Sequence, residues 1–200
     1  CGCIGKLHVR SFPKFVIDHL HLPWVNKLKY LGITFYVDKK LVTDCNERIH
    51  KFIASVCSVL RFKVVGYEMV FADIIVKKCL PIMFYGLDCC TLNSSSINSV
   101  SRAWNMAFKW LFNLRKYDST RLVLFSCNTM SMKFLLDSRI MTFYRQISCS
   151  DNKLLHNLWV LSQDKMYNLL LKYNLHVNAS VKEIKYGVHN SFNDHCAEKL

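Results

Sequence analysis

The sequence has few of the residues that phosphate-handling active sites require. Only six glycines and three prolines are present, and none of the glycines belongs to a Gly-rich phosphate loop. The chain also has no adjacent pair of aspartates, whereas two-metal phosphoryl-transfer sites use paired aspartates to hold their ions. The aspartates are scattered, and several of them fall at expected turns or helix caps: Asp38, Asp44, Asp118 and Asp151. We therefore expect no self-contained catalytic site and no bound cofactor.

Long apolar runs are also missing. Lys77, Lys78 and Asp88 interrupt the longest apolar stretches, so no segment is expected to span a membrane. No charged and apolar leader opens the chain, so we expect no signal peptide and an intracellular location, in the cytoplasm or the nucleus. The ten cysteines are then expected to be reduced thiols. Three of them lie in helical patterns, where a free cysteine behaves as a small buried hydrophobe: Cys45, Cys57 and Cys79.

Acidic residues are scarce relative to basic ones. The chain has 14 Asp+Glu against 27 Lys+Arg, a formal net charge of +13, and the excess is spread over both halves. An evenly basic chain suggests contact with a polyanion, for which nucleic acid is the usual candidate, and charge for solubility is the alternative. A hydrophobic content of 52% over 200 residues argues against disorder and allows a buried core.

Cysteine and histidine are plentiful, but they are not spaced as metal ligands or as a nucleophile with its base. The residues that invite a zinc site are split between the two ends of the chain: Cys1, Cys3, His8, His189, His195 and Cys196. These spacings do not match the paired patterns of zinc ligands, so we expect no metal site. No local sequence marks an activated nucleophile.

Hydrophobic periodicity predicts a mainly α protein that is preceded by a small β-strand or hairpin segment. The strongest strand signal runs over residues 29–37, and 38–40 are expected to form a turn. Asp44 and Glu47 have the spacing of a capping box at the start of the first helix. The second helix is expected to run from Tyr67 to Cys79 and to stop before Pro81.

Further helices are expected later in the chain. A serine-rich linker at 94–96 leads into a third helix with an apolar face from Ile97 to Leu111, and another helix is predicted over 132–147. One or two leucine-rich helices are expected within 151–175. Beyond Asn178 the pattern weakens and we expect a polar tail.

The third helix and its continuation are basic and aromatic. From Arg102 to Lys116 the segment has four cations and no acid, interleaved with aromatic residues, which suits contact with a phosphate backbone and base stacking. Trp104 and Phe108 lie on the apolar face and are expected in the core, whereas Trp110 lies off it and is expected to be exposed. A second basic set at helix ends has either a phosphate-binding or a solvated role: Arg61, Lys63, Lys77 and Lys78.

Three ordered segments resemble a known family. They are 27–35 (KLKYLGITF), 80–86 (LPIMFYG) and 130–136 (MSMKFLL). In this order they are similar to the end of the reverse transcriptase encoded by LINE-type, non-LTR retrotransposons, over about residues 15–147. The resemblance implies a post-palm β segment at 1–41, a helical thumb-like domain at 42–150 and a helical C-terminal extension at 151–200. The chain begins with Cys1 and is expected to be a fragment.

The same resemblance implies a role for this fragment. The family's catalytic aspartates and their Mg²⁺ belong to a palm domain that is expected upstream, so the fragment alone is predicted to be inactive although its parent would be an RNA-directed DNA polymerase. Its expected partners are the RNA/DNA template-primer and that palm domain. Two groups of residues are predicted to bind nucleic acid. The resemblance implies Lys27, Lys29, Tyr30, Leu31 and Gly32. The basic segment adds Arg102, Lys109, Trp110, Arg115 and Lys116.

Two other interpretations remain open from the sequence. The chain could be a degenerate remnant of such an element without activity, or an intracellular helical domain whose basic face meets an acidic protein. Phosphate contacts make binding steeply salt-dependent, whereas a helix in an apolar groove responds less to salt.

Overall fold

The computed structural model describes residues 15–30, 32–37, 41–87 and 92–198. This part of the chain is mainly helical and is preceded by a small antiparallel β segment, as predicted. The strands form one hairpin, β1 (Phe15–Ile17) with β2 (Leu20–Leu22), and one three-stranded sheet in the order β3 (Lys27–Tyr30), β4 (Ile33–Val37) and β5 (Leu41–Asp44). The helices of the described residues are α1 (Asn46–Leu60), α2 (Glu68–Ile74), α3 (Leu80–Phe84), α4 (Ser94–Leu111), α5 (Arg121–Ser126), α6 (Met132–Ser148), α7 (Lys153–Lys172) and α8 (Val181–Ala197).

The prediction of one continuous strand over 29–37 is wrong. The chain reverses between β3 and β4, with Tyr30 opposite Ile33, and the connection includes Gly32 at a φ of +75°. Glycine enters this left-handed region readily because it has no Cβ, so the turn interrupts what the sequence presents as one run of β-forming residues. The turn predicted at 38–40 lies outside the described residues.

The first helix keeps its predicted apolar face but not its predicted cap. Phe52 and Val56 are buried, with Ile49 and Ile53 partly buried beside them. The helix begins one residue later than a capping box would require. Asp44 accepts a hydrogen bond from the backbone N–H of Asn46 at 2.9 Å, and Glu47 bonds to lysines instead of to the helix end.

Two of the three cysteines predicted as core residues are buried. Cys45 and Cys79 are 4% and 0% exposed, but Cys57 lies on the solvent side of α1 and is exposed. Cys57 follows the buried Val56 by one position, and adjacent helical positions point about 100° apart, which turns Cys57 away from the core toward solvent. The prediction for Cys57 is therefore wrong.

The second predicted helix does not stop before Pro81. A π-helical segment, Ile75–Cys79, joins α2 to α3, and the Leu80 N–H bonds to the carbonyl of Ile75 five residues back. Proline cannot donate a backbone hydrogen bond, and it is tolerated in the first turn of a helical segment where that donor is not needed. Pro81 stands in the first turn of α3, directly after the wider π turn.

The predictions for the middle of the chain agree better with the structure. α4 buries the expected face, and Trp104 and Phe108 are 0% exposed. It begins at Ser94 with Asn93 as its cap, so the serines predicted as a linker form its first turn. α6 spans the predicted range, and residues 151–175 give a single helix, α7.

The polar tail expected beyond Asn178 is wrong, because α8 occupies this region. A capping box opens it: the Ser180 hydroxyl accepts from the Glu183 N–H, and the Glu183 carboxylate accepts from the Ser180 N–H at 2.6 Å. Apolar residues at every fourth position form its buried side: Ile184, Val188, Phe192 and Cys196. Its polar faces lower the average hydrophobicity, which is why the segment looks like a tail.

The helices enclose two hydrophobic clusters. The larger one is built from α1 to α6, and Trp104 packs in it with ring centroids 6.1 Å from Phe52 and 4.8 Å from Phe108. The smaller one joins α6, α7 and α8 around Met141, Met166 and other buried residues. α8 contributes to both clusters, because its Phe192 and Cys196 belong to the larger one.

Candidate nucleic-acid interface

The predicted basic residues of α4 project from the side opposite its core face. Arg102 is exposed, and its guanidinium bonds to its own helix, at the Asn98 carbonyl and the Ser99 hydroxyl. Lys109 follows seven residues later, which is close to two full turns and places it on the same face about 10 Å further along the axis. Trp110 is 39% exposed, which confirms the expectation that it lies off the core face.

The chain turns sharply where α4 ends and brings Arg115 and Lys116 next to Lys109. Asn113 adopts a left-handed φ of +53°, and the Leu114 N–H bonds to the Lys109 carbonyl at 2.9 Å. The Lys109 ammonium donates to the backbone carbonyl of Lys116. Four predicted residues therefore share one small surface. We call Lys109, Trp110, Arg115 and Lys116 the α4-end surface.

A further cation reaches this surface from a distant part of the chain. The Lys63 ammonium, in the connection between α1 and α2, lies 3.4 Å from the Asn113 side-chain oxygen. Lys63 is flanked by Phe62, which is 77% exposed, and Lys116 lies over the ring of Tyr117, which is 89% exposed. Sequence reasoning did not place Lys63, Phe62 or Tyr117 in the site. The sequence signal for Lys63 is its place in the second basic set, where a phosphate-binding or a solvated role was open, and Phe62 and Tyr117 each neighbour a cation in the sequence.

Acidic groups contribute little to the α4-end surface. From Lys109 to Arg121 the sequence has a single acid, Asp118. Its carboxylate accepts a hydrogen bond of 2.7 Å from the backbone N–H of Arg115, which stabilises the turn and leaves the Arg115 side chain exposed. Residues 109–121 therefore present cations and aromatic rings with one tethered carboxylate, a combination that suits a phosphate backbone and stacked bases.

The predicted residues of the β3–β4 hairpin lie elsewhere. Lys29 forms an ion pair of 3.0 Å with Glu47, which also binds Lys51 at 2.9 Å. These two ammonium groups, Lys51 first, lower the pKa of Glu47 from its usual 4.5 to about 2. Lys27 stands over the Tyr36 ring at 5.3 Å. The hairpin cations are thus partly engaged within the protein.

Tyr30, Leu31 and Gly32 complete the predicted hairpin set. Tyr30 is 64% exposed, and Leu31 lies outside the described residues. The Gly32 carbonyl accepts a hydrogen bond of 2.7 Å from the guanidinium of Arg48, and a Cβ at Gly32 would lie only 2.9 Å from that group. The close approach at this glycine is therefore made by Arg48 from α1.

Two of the segments that define the family resemblance pack against each other. Arg48 stacks on the Tyr85 ring at 4.5 Å while it holds the Gly32 carbonyl. Gly86, the residue after Tyr85, has a φ of +75°, and a Cβ there would come within 2.3 Å of the Ile33 Cδ1. The hairpin and the turn after α3 are therefore one structural unit.

The hairpin and the α4-end surface meet opposite ends of α1. Glu47 and Arg48, which hold the hairpin, are in the first turn of α1, whereas Lys63 follows its last turn. A helix of 15 residues is about 22 Å long. The structure therefore divides the predicted binding residues into two groups that a single phosphate cannot bridge.

The described residues offer no metal centre. Among them, no group of three or more His, Cys, Asp and Glu side chains lies close enough to hold an ion. Two of the free cysteines within this part of the chain are shifted away from the reactive thiolate form. Burial raises the pKa of the Cys127 thiol to about 11 and also raises that of Cys196, so both stay protonated at neutral pH.

None of the helices in the described ranges is long and apolar enough to cross a membrane. Comparison with known proteins adds no assignment, because no family model, no curated protein and no solved structure matches the chain.

Proposed function

We propose that this chain is the post-palm and thumb part of a LINE-type reverse transcriptase, and that its α4-end surface holds the backbone of the template-primer nucleic acid. The observation that carries the proposal is the gathering of Lys109, Arg115 and Lys116 with Lys63 around exposed aromatic rings. Contacts from these cations to phosphate oxygens would position the nucleic acid without reading its sequence.

The packing of the hairpin on the turn after α3 supports the same proposal. The two family-like segments lie about fifty residues apart in the sequence, yet they are in direct contact. Arg48 contacts both the Gly32 carbonyl and the Tyr85 ring, and Ile33 packs against Gly86. In the proposed parent polymerase the palm would hold Mg²⁺ and perform catalysis, and this chain would position the duplex for it.

The test is the salt dependence of binding to a labelled RNA–DNA hybrid, measured by fluorescence anisotropy. The triple variant Lys109→Gln, Arg115→Gln, Lys116→Gln removes three cations of the α4-end surface. If each contacts a phosphate, the slope of log K against log salt should flatten by about 2 to 3.

The matched control is Lys153→Gln, Lys165→Gln, Lys182→Gln, which removes the same formal charge from exposed positions on α7 and α8. We expect this variant to keep the wild-type slope. Equal slopes for the wild type and the α4-end variant would refute the proposed interface. If the α4-end variant and the control variant flatten the slope equally, the net charge of the protein and not this surface determines the salt dependence, which also contradicts the proposal.

A domain that binds an acidic protein is the second candidate. The observation in its favour is an exposed apolar group in the connection between α1 and α2, where Phe62, Val65 and Tyr67 are 77%, 86% and 59% exposed. Under this alternative, the chain binds the RNA–DNA hybrid weakly, and the α4-end variant has the same affinity for the hybrid as the wild type. An acidic helical peptide would instead bind the wild type and lose affinity when Phe62 and Val65 are changed to serine.

A further inference from the structure

A second basic site shares no residue with the α4-end surface. A cavity of about 390 Å³ opens where α4, α5, α6, α7 and α8 meet. Four basic side chains line it, each from a different place in the fold: Arg121 at the start of α5, Lys133 at the start of α6, Lys172 at the end of α7 and His195 near the end of α8. The sequence gives no sign of the cavity because these positions are spread over 75 residues.

No acidic side chain lines the cavity. Lys172 is bonded to Asp137, whose carboxylate also accepts from the Tyr173 hydroxyl at 2.7 Å. Arg121 and Lys133 have no ion-pair partner within the described ranges. Two cations thus converge on the cavity without a counter-charge from this part of the chain, an arrangement that favours an anionic occupant.

Hydroxyl groups supply the donors that an oxyanion needs besides charge. Ser119, Thr120 and Ser131 line the same cavity. Ser131 is the N-cap residue of the 17-residue helix α6, but its side chain makes no capping hydrogen bond. Its hydroxyl is therefore available at a helix end where the dipole already favours negative charge.

The remaining wall is apolar and aromatic. Phe134 and Phe192 lie edge to face at 5.3 Å, and the His195 ring lies 6.1 Å from Phe134. A cavity of this volume is at the small end of ligand sites and is larger than a free phosphate ion needs. The occupant should therefore combine a doubly charged head with an organic body that can pack on the rings.

We propose that this cavity binds a phosphomonoester, with Arg121 and Lys133 as the principal contacts to the phosphate. A phosphomonoester carries close to two negative charges at neutral pH and three strong acceptor oxygens, which matches the two free cations and the three hydroxyls. Lys172 and His195 complete the basic rim, and Phe134 contacts the organic part. This site shares no residue with the proposed template-primer surface, and its test does not depend on that proposal.

The experiment is calorimetric titration of the full chain with adenosine monophosphate, inorganic phosphate and adenosine. We expect the monophosphate to bind at least about tenfold more tightly than adenosine, since charge-assisted hydrogen bonds to the phosphate are absent in the nucleoside. The double variant Arg121→Gln, Lys133→Gln should bind the monophosphate roughly tenfold or more less tightly than the wild type does. Lys133→Gln alone, at an exposed position, gives a second variant that leaves the fold least disturbed.

The matched control is Lys153→Gln, Lys165→Gln, which removes the same charge from exposed positions on α7 that line no part of the cavity. We expect it to bind as the wild type does. Comparing the monophosphate with a 5′-phosphorylated oligonucleotide and its 5′-hydroxyl form distinguishes a free nucleotide from a nucleic-acid end, and preference for either phosphorylated ligand supports the site. The proposal would be overturned if the monophosphate and adenosine bind equally tightly, or if the cavity variant and the control variant lose the same affinity for the monophosphate.

Discussion

Replacing Gly86 by alanine tests the contact that joins the hairpin to the turn after α3. Gly86 has a φ of +75°, and a Cβ there would lie 2.3 Å from the Ile33 Cδ1 and 2.9 Å from its Cγ1. Two costs should add. A non-glycine residue at this φ loses about 1 to 2 kcal/mol, and forcing a methyl into a filled contact loses about 1 to 3 kcal/mol more. We expect Gly86→Ala to lower the free energy of unfolding by about 2 to 5 kcal/mol.

Gly66 provides the matched control for the backbone cost. Its φ is +92°, but nothing lies within 4 Å of its Cβ position. Gly66→Ala should therefore lose only the conformational part, about 1 to 2 kcal/mol. The difference between the two variants isolates the steric contact with Ile33.

A double-mutant cycle in urea completes the assay. Ile33→Ala removes both atoms that the new methyl would meet, so it should relieve the steric cost of Gly86→Ala by about 1 to 3 kcal/mol and leave its backbone cost. The measurement is the unfolding midpoint and slope, followed by circular dichroism. If Gly86→Ala costs no more than Gly66→Ala, or if it is additive with Ile33→Ala, the described packing is wrong.

Two further predictions concern single side chains. Because the pKa of Glu47 is lowered to about 2 by Lys51 and Lys29, its stabilising effect is complete above about pH 4.5 and is lost as the pH falls toward 2. Urea unfolding should show a fall in wild-type stability over this range that is smaller in Glu47→Gln, where other carboxylates such as Glu183 still titrate, and parallel curves would contradict the ion pairs. Ser180→Ala removes the hydroxyl of the capping box of α8 and should cost about 1 kcal/mol in thermal or urea unfolding, whereas an unchanged midpoint would show that the box contributes nothing.

The sequence predicted helices well where one apolar face repeats at helical spacing. α4 is the clearest case, since Trp104 and Phe108 are fully buried and Trp110 is exposed. This follows because a helix that buries one face against a core has apolar residues repeating about every 3.6 positions, and that repeat can be recognised in the sequence.

The failures have local causes. A turn with glycine at positive φ looks like uninterrupted strand when β-forming residues flank it, as at Gly32. A π turn before Pro81 carries the helix past a residue that normally ends one. α8 had a readable signal, since Ser180 and Glu183 have capping-box spacing, but its polar faces concealed the buried side.

The candidate site was predicted only in part because its composition depends on long-range contacts. Lys109, Arg115 and Lys116 are near one another in sequence, so their clustering could be anticipated. Lys63 joins them only through Asn113, fifty residues away. The four basic side chains of the cavity come from four separate helices, and no pattern along the chain could have indicated it.

The central proposal is that this chain is the post-palm and thumb part of a LINE-type reverse transcriptase. Its most direct test is the sequence of the transcript upstream of the codon for Cys1. The account predicts an open reading frame that continues upstream and encodes an Asp-Asp pair in a palm domain, which would supply the metal ligands absent from this chain. An unrelated domain in that position, or a stop codon in frame, would contradict it.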